Sequence, residues 1–117
     1  MLDDADLSGT ALSGADFSGS ALRRASYEGS DLTRATFKGT ALRDASFEGA
    51  TLTDAEFRGS DLQGVRFDGA DLTRARFHGA AMKGTTFVGA TLTDTDFSRS
   101  DLTDVSFESM TLQGVAF

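Results

Sequence analysis

One large apolar residue recurs at every fifth position of the chain, from Leu2, Leu7, Leu12 and Phe17 through Leu112 and Phe117, with Met82 the only straight-chain substitute. A period of five matches neither the roughly 3.6-residue repeat of a helix nor the roughly two-residue repeat of a flat strand. A unit this short cannot bury its own apolar side chain, so it has to be one step of a stacked solenoid. The flanking positions follow the same rhythm. Two places before the large residue stands a small one (Ala5, Thr10, Ala15, Ser20 and onward to Val115), with Met110 the single large exception. Two places after it stands Gly or a polar residue, as in Ala15-Asp16-Phe17-Ser18-Gly19.

The unit "small, polar, Leu or Phe, polar, Gly or polar" resembles the pentapeptide-repeat family, and the resemblance covers the whole chain. It implies an all-β fold, a right-handed quadrilateral β-helix with four pentapeptides per coil and the central residue pointing inward. For residues 1–117, read as a single domain, that gives about six coils of twenty residues. The chain offers a check on the coil length. Leu and Phe alternate, so a spacing of twenty places Phe17, Phe37, Phe57, Phe77 and Phe97 in one column and Leu12, Leu32, Leu52, Leu72 and Leu92 in another. Phe47, Phe67 and Phe87 fall on the wall opposite the first Phe column, and Leu62 on the fourth wall. These residues are the expected structural core, stacked like on like.

Turn chemistry follows the alternation as well. Behind each aromatic unit from Phe17 to Phe87 the corner residue is Gly, at 19, 29, 39, 49, 59, 69, 79 and 89. Gly at the third place of a four-residue turn supplies the positive φ of a type II turn. Behind the Leu units the same place holds Arg24, Arg34, Asp44, Asp54, Arg74 and Asp94 as well as Gly14, Gly64 and Gly84. Two type II corners and two of other types per coil are therefore expected. Arg99 and Ser109 break the glycine rule near the C-terminus.

Read in columns of twenty, the outer surface offers three candidate functions. The main expectation is a rigid, non-catalytic scaffold or protein-interaction module whose partner is a protein. Glu28, Glu48, Asp68 and Glu108, interrupted by Val88, form an acidic column that is the candidate partner-binding surface. Members of the family that resemble acidic duplex DNA bind type II topoisomerases such as DNA gyrase, and the net charge of −7 points towards such a DNA-mimic. Against it, residues 21–93 carry nine acids and ten bases, so the middle of the chain is close to neutral. The third reading comes from the column Ser13, Thr33, Thr53, Thr73 and Thr93, a rank of the kind ice-binding β-helices present. Thr is also simply favoured on β surfaces. Arg34, Asp54, Arg74 and Asp94 alternate in sign along one corner and are expected to form a surface ion-pair ladder.

Catalysis and cofactor chemistry find no foothold. There is no cysteine and a single histidine, His78, standing in a basic outer column with Lys38 and Arg58, which leaves little for a nucleophilic dyad or a His-based metal site. Gly79 to Gly84 has the spacing of a phosphate loop, but Thr85 stands where its lysine belongs. No cofactor, no nucleic-acid partner and no membrane association are expected. The lack of an apolar run long enough for a signal peptide or a membrane span favours the cytoplasm. The repeat is in frame at both Met1 and Phe117 with no capping helix, which suggests an excised piece, or a homodimer formed through an open β-helix end.

Overall fold

The computed structural model describes residues 2–117 and shows a β-helix solenoid. Parallel bridges join residues twenty apart, from Asp6 with Ser26 to Asp96 with Ala116. Four tight corners separate each bridged pair, for example those closed by Ala15 N donating to Leu12 O (3.0 Å) and Ser20 N donating to Phe17 O (3.1 Å). The walls between corners are so short that each contributes one bridged residue, and among the described residues none lengthens into a strand.

Four of the five backbone N–H groups in the unit have a main-chain destination, and this explains the grammar of the sequence. Taking the unit around Phe57, the Ala55 N–H closes the preceding corner on Leu52 O. The Glu56 N–H donates backwards to Ala35 O, while those of Phe57 and Gly59 donate forwards to Arg76 O and His78 O. Only the N–H just after the central residue has no main-chain acceptor, and in many units a short polar side chain two places earlier takes it. Asp16 Oδ1 accepts from Ser18 N (2.9 Å), Asp31 Oδ1 from Thr33 N (3.1 Å) and Asp71 Oδ1 from Thr73 N (3.1 Å). Asp and Ser therefore recur before the large residue because they cap the turn that follows it.

The corners depart from the sequence expectation. Positive φ is found behind the Leu units as well as behind the aromatic ones: Arg24 at 58°, Arg34 at 59°, Asp44 at 62°, Asp54 at 61°, Arg74 at 57° and Asp94 at 57°. Arg99 (59°) and Ser109 (61°) adopt it too. With φ positive at the third place only, these corners are type II like the glycine ones, in place of the expected two and two. The corner N–H must reach the next coil whatever side chain it carries, as Arg74 N does to Thr93 O (2.9 Å). That bond overrides the preference of Arg and Asp for negative φ.

Inside, the two aromatic columns interlock. Phe37, Phe57 and Phe77 stack at 4.9 Å with nearly parallel rings, and each meets the opposite column edge-on, as Phe57 does with Phe47 at 5.6 Å and 88°. Offset stacks and perpendicular edges are both favourable arrangements of the ring quadrupole. Tyr27, Phe37, Phe47, Phe57, Phe67, Phe77, Phe87 and Phe97 are fully buried, as are Leu22, Leu32, Leu42, Leu52, Leu62, Leu72 and Leu92. Leu12 and Phe17, near one end, are only partly buried against this core. Small residues before the large ones let the corners close. Where they are Ser or Thr, the buried hydroxyl bonds a corner carbonyl, as Thr85 Oγ1 does to Leu62 O (2.9 Å) and Thr95 Oγ1 to Leu72 O (2.8 Å).

Candidate interaction surfaces

The acidic column sits on the outer side of the wall that contains Tyr27, Phe47, Phe67 and Phe87, and its carboxylates are partly engaged. Glu28 Oε1 accepts from Ser46 Oγ (3.2 Å), Glu48 Oε1 lies 3.5 Å from Arg66 Nε, and Asp68 Oδ1 accepts from Val88 N (2.9 Å). Glu28 and Glu108 are exposed, whereas Glu48 and Asp68 are half-buried. Val88, at 75% exposure, separates Glu108 from the other three.

The alternating corner forms one rung where a ladder was expected. Arg74 grips Asp54 with two bonds, Nε to Oδ1 at 2.8 Å and Nη2 to Oδ2 at 3.0 Å. Arg34 finds no carboxylate, because an arginine here reaches back to the previous coil and the residue there is Gly14; its Nη2 donates to Ser13 Oγ at 3.3 Å. Asp94 has Gly114 beside it in the following coil. A second bidentate pair, which the sequence reading did not identify, joins Arg24 to Asp4 on another corner (2.7 and 3.0 Å). Its signal was present in the spacing of twenty between the two residues. In both pairs the guanidinium bonds hold the carboxyl below its ordinary value.

Along the Thr column the hydroxyls of Thr33 and Thr73 donate to Asp31 and Asp71 (2.7 and 2.6 Å). They are turned into the turn caps, and these bonds lower the pKa of Asp31. Among the described residues no group of three His, Asp or Glu side chains is placed to hold a metal. Near the C-terminus an open cleft of about 370 Å³ separates residues 85–89 from Asp104, Ser106 and 108–110.

These walls, corners and columns can be set beside known proteins. The family model for the pentapeptide repeat region matches residues 1–77 and 40–117. The chain belongs to the pentapeptide-repeat family. A pentapeptide-repeat protein of the Arabidopsis thaliana thylakoid lumen is 38% identical with a TM-score of 0.70, over 91% of this chain and 70% of that one. A pentapeptide repeat protein from the cyanobacterium Cyanothece 51142 has a TM-score of 0.85 at 21% identity, covering 91% and 86% of the two chains. QnrB1, a plasmid-mediated fluoroquinolone resistance protein, shares the fold at 24% identity in its trypsin-treated form, with a TM-score of 0.55 over 97% of this chain and 77% of that one. No curated protein sequence matches the chain. No helix among the described residues is long and apolar enough to cross a membrane.

Proposed function

We propose that this pentapeptide-repeat chain is a single-domain, non-catalytic spacer and protein-interaction module, a right-handed quadrilateral rod of about six coils. The observation that carries the reading is the allocation of its polar groups. Main-chain donors are consumed in bonds between coils, and many of the outer Asp and Ser side chains are consumed in capping the turns. What is left is a stiff body with flat faces to decorate, and the acidic column of Glu28, Glu48, Asp68 and Glu108 is the face proposed to meet a protein partner. No cofactor, nucleic acid or membrane enters this function, and a cytoplasmic location fits it.

Rigidity is directly measurable, since the chain has no cysteine to interfere with labelling. Spin labels on R23C and T103C, in one outer column four coils apart, should give a single narrow distance distribution on the order of 20 Å, from about 4.8 Å per coil. A broad distribution would remove the spacer role. Sedimentation velocity on the same protein tests whether an open end makes a homodimer.

The second reading is a DNA-mimic that binds a type II topoisomerase, and the acidic column is what favours it. Its weakness is that Glu48 is already partnered by Arg66. A gyrase supercoiling assay decides: inhibition or quinolone protection near stoichiometric protein would put the mimic first, and unaffected supercoiling is expected.

A further inference from the structure

The cleft near the C-terminus is a break in an otherwise repeating network. One coil earlier on the same walls, Phe67, Gly69 and Leu72 donate to Thr86 O, Val88 O and Thr91 O at 2.9, 2.8 and 2.8 Å. Thr86 N and Thr91 N return bonds to Val65 O and Ala70 O at 3.0 and 2.9 Å. The equivalent bonds between Phe87, Gly89 and Leu92 and the carbonyls of Ser106, Glu108 and Thr111 do not form, nor do those from Ser106 N and Thr111 N to Thr85 O and Ala90 O. The network resumes with Asp94 N to Gln113 O (2.9 Å) and Phe97 N to Ala116 O (2.8 Å).

Met110 explains the location. It stands in the column Thr10, Ser30, Ala50, Ala70 and Ala90, whose slot is so tight that Ser30, Ala50 and Ala70 are 1–2% exposed. A four-atom side chain cannot occupy that slot with the coils at hydrogen-bonding distance, so the outer edge lifts although Met110 N still closes its own corner on Phe107 O (3.2 Å) and the rings inside stay stacked, Phe87 on Phe107 at 5.7 Å. Met110 lines both open spaces at this edge.

We propose that this cleft is a docking site for an extended peptide segment of a partner protein, with apolar side chains flanked by lysine or arginine. Three features select that occupant. Thr85 O and Phe87 N are spaced to pair with the N–H and C=O of one incoming residue, as Val65 O and Phe67 N pair with Thr86, and Gly89 N continues the edge. The lining is apolar at Val88 and Met110, and its volume lies within the roughly 300–1,000 Å³ typical of ligand sites. The rim carries Asp104 and Glu108, and residues 84–117 hold five acids against the lone Arg99, so a basic segment is drawn in. The proposal deepens the interaction-module reading and rests on it.

The test titrates the ¹⁵N-labelled full chain with the capped pentapeptide Lys-Val-Lys-Leu-Lys, and separately with its glutamate counterpart. The lysine peptide should shift the amides of 85–92 and 104–111 and slow the hydrogen exchange of Phe87 and Gly89, and the glutamate peptide should not. M110A restores the small residue, closes the cleft and should weaken binding by about tenfold or more. V88K places a cation at the mouth on an exposed side chain, leaves the core untouched and should weaken binding too. Equal binding of the two peptides, or unchanged affinity in both variants, would overturn the proposal. Shifts confined to the Glu28, Glu48 and Asp68 column would also overturn it while leaving the interaction-module reading standing. No shifts with either peptide removes the cleft as a site, and the rigidity and supercoiling measurements then judge the module reading independently.

Discussion

Residues 65–72 are tied to residues 86–91 by five main-chain hydrogen bonds, while the same walls twenty residues later, 85–92 and 106–111, share none of the equivalents. The aromatic stack barely registers the change: Phe67 to Phe87 is 5.5 Å and Phe87 to Phe107 is 5.7 Å. Ring stacking and the backbone network are thus separable in this fold. The large central residues hold coils at stacking distance, whereas the small residue at each corner decides whether the backbones close.

The widest separation between the two regions should come from removing a ring. Phe57 is stacked at 4.9 Å on both sides and flanked edge-on by Phe47 and Phe67, so F57A is expected to leave a cavity costing about 3–5 kcal/mol. Phe107 is only partly buried beside the open edge, and F107A should cost less than about 2 kcal/mol. Urea unfolding of both variants checks this. Equal losses would mean that the loosened edge carries as much packing energy as the middle.

The next two substitutions, one in the stack and one at the open edge, are expected to stabilise. The Tyr27 hydroxyl is buried among rings with no hydrogen-bond partner, and burial alone pushes its ionisation upward. Y27F matches the phenylalanines that follow it in the column and should gain about 1–2 kcal/mol, because an unsatisfied buried hydroxyl carries a desolvation cost. A fall in melting temperature would show that the hydroxyl has a partner after all. M110A should gain about 1 kcal/mol, since restored hydrogen bonds outweigh the half-buried methionine contacts they replace. Hydrogen exchange gives the sharper reading, as the amides of Phe87, Gly89 and Leu92 should become as slow as those of Phe67, Gly69 and Leu72. If they stay fast, something other than Met110 holds the edge open.

Much of this architecture was legible in the sequence. A period of five and a Leu/Phe alternation that closes on twenty are properties of the one-dimensional string, and they suffice to place Phe37, Phe57 and Phe77 in one stack. Met110 was visible as an exception, but its effect was not, because the tightness of the Ala50 and Ala70 slot exists only once coils are stacked. The corner conformations were misjudged for a related reason. Local preference places Arg and Asp at negative φ, while the hydrogen bond from the corner N–H to the next coil is a tertiary demand. The single rung at Asp54 and Arg74 depended on a direction that alternating signs do not encode, since Arg34 and Arg74, the arginines of this corner column, both reach back by one coil.

That direction allows the smallest comparison to be drawn within one corner column. Arg34 and Arg74 have nearly the same φ, 59° and 57°, and differ in what lies one coil behind them, Gly14 or Asp54. Glycine relieves left-handed strain at either position, so R34G should stabilise by about 0.5–1 kcal/mol, the larger folded-state gain being offset in part by the freer unfolded chain. R74G relieves the same strain but strands Asp54, and it should gain less at low salt. Near 1 M salt, where the screening length falls to about 3 Å, the two variants should converge in thermal unfolding. A gap that persisted in salt would mean that the fixed geometry of the two bonds to Asp54, more than the charge they carry, stabilises that corner.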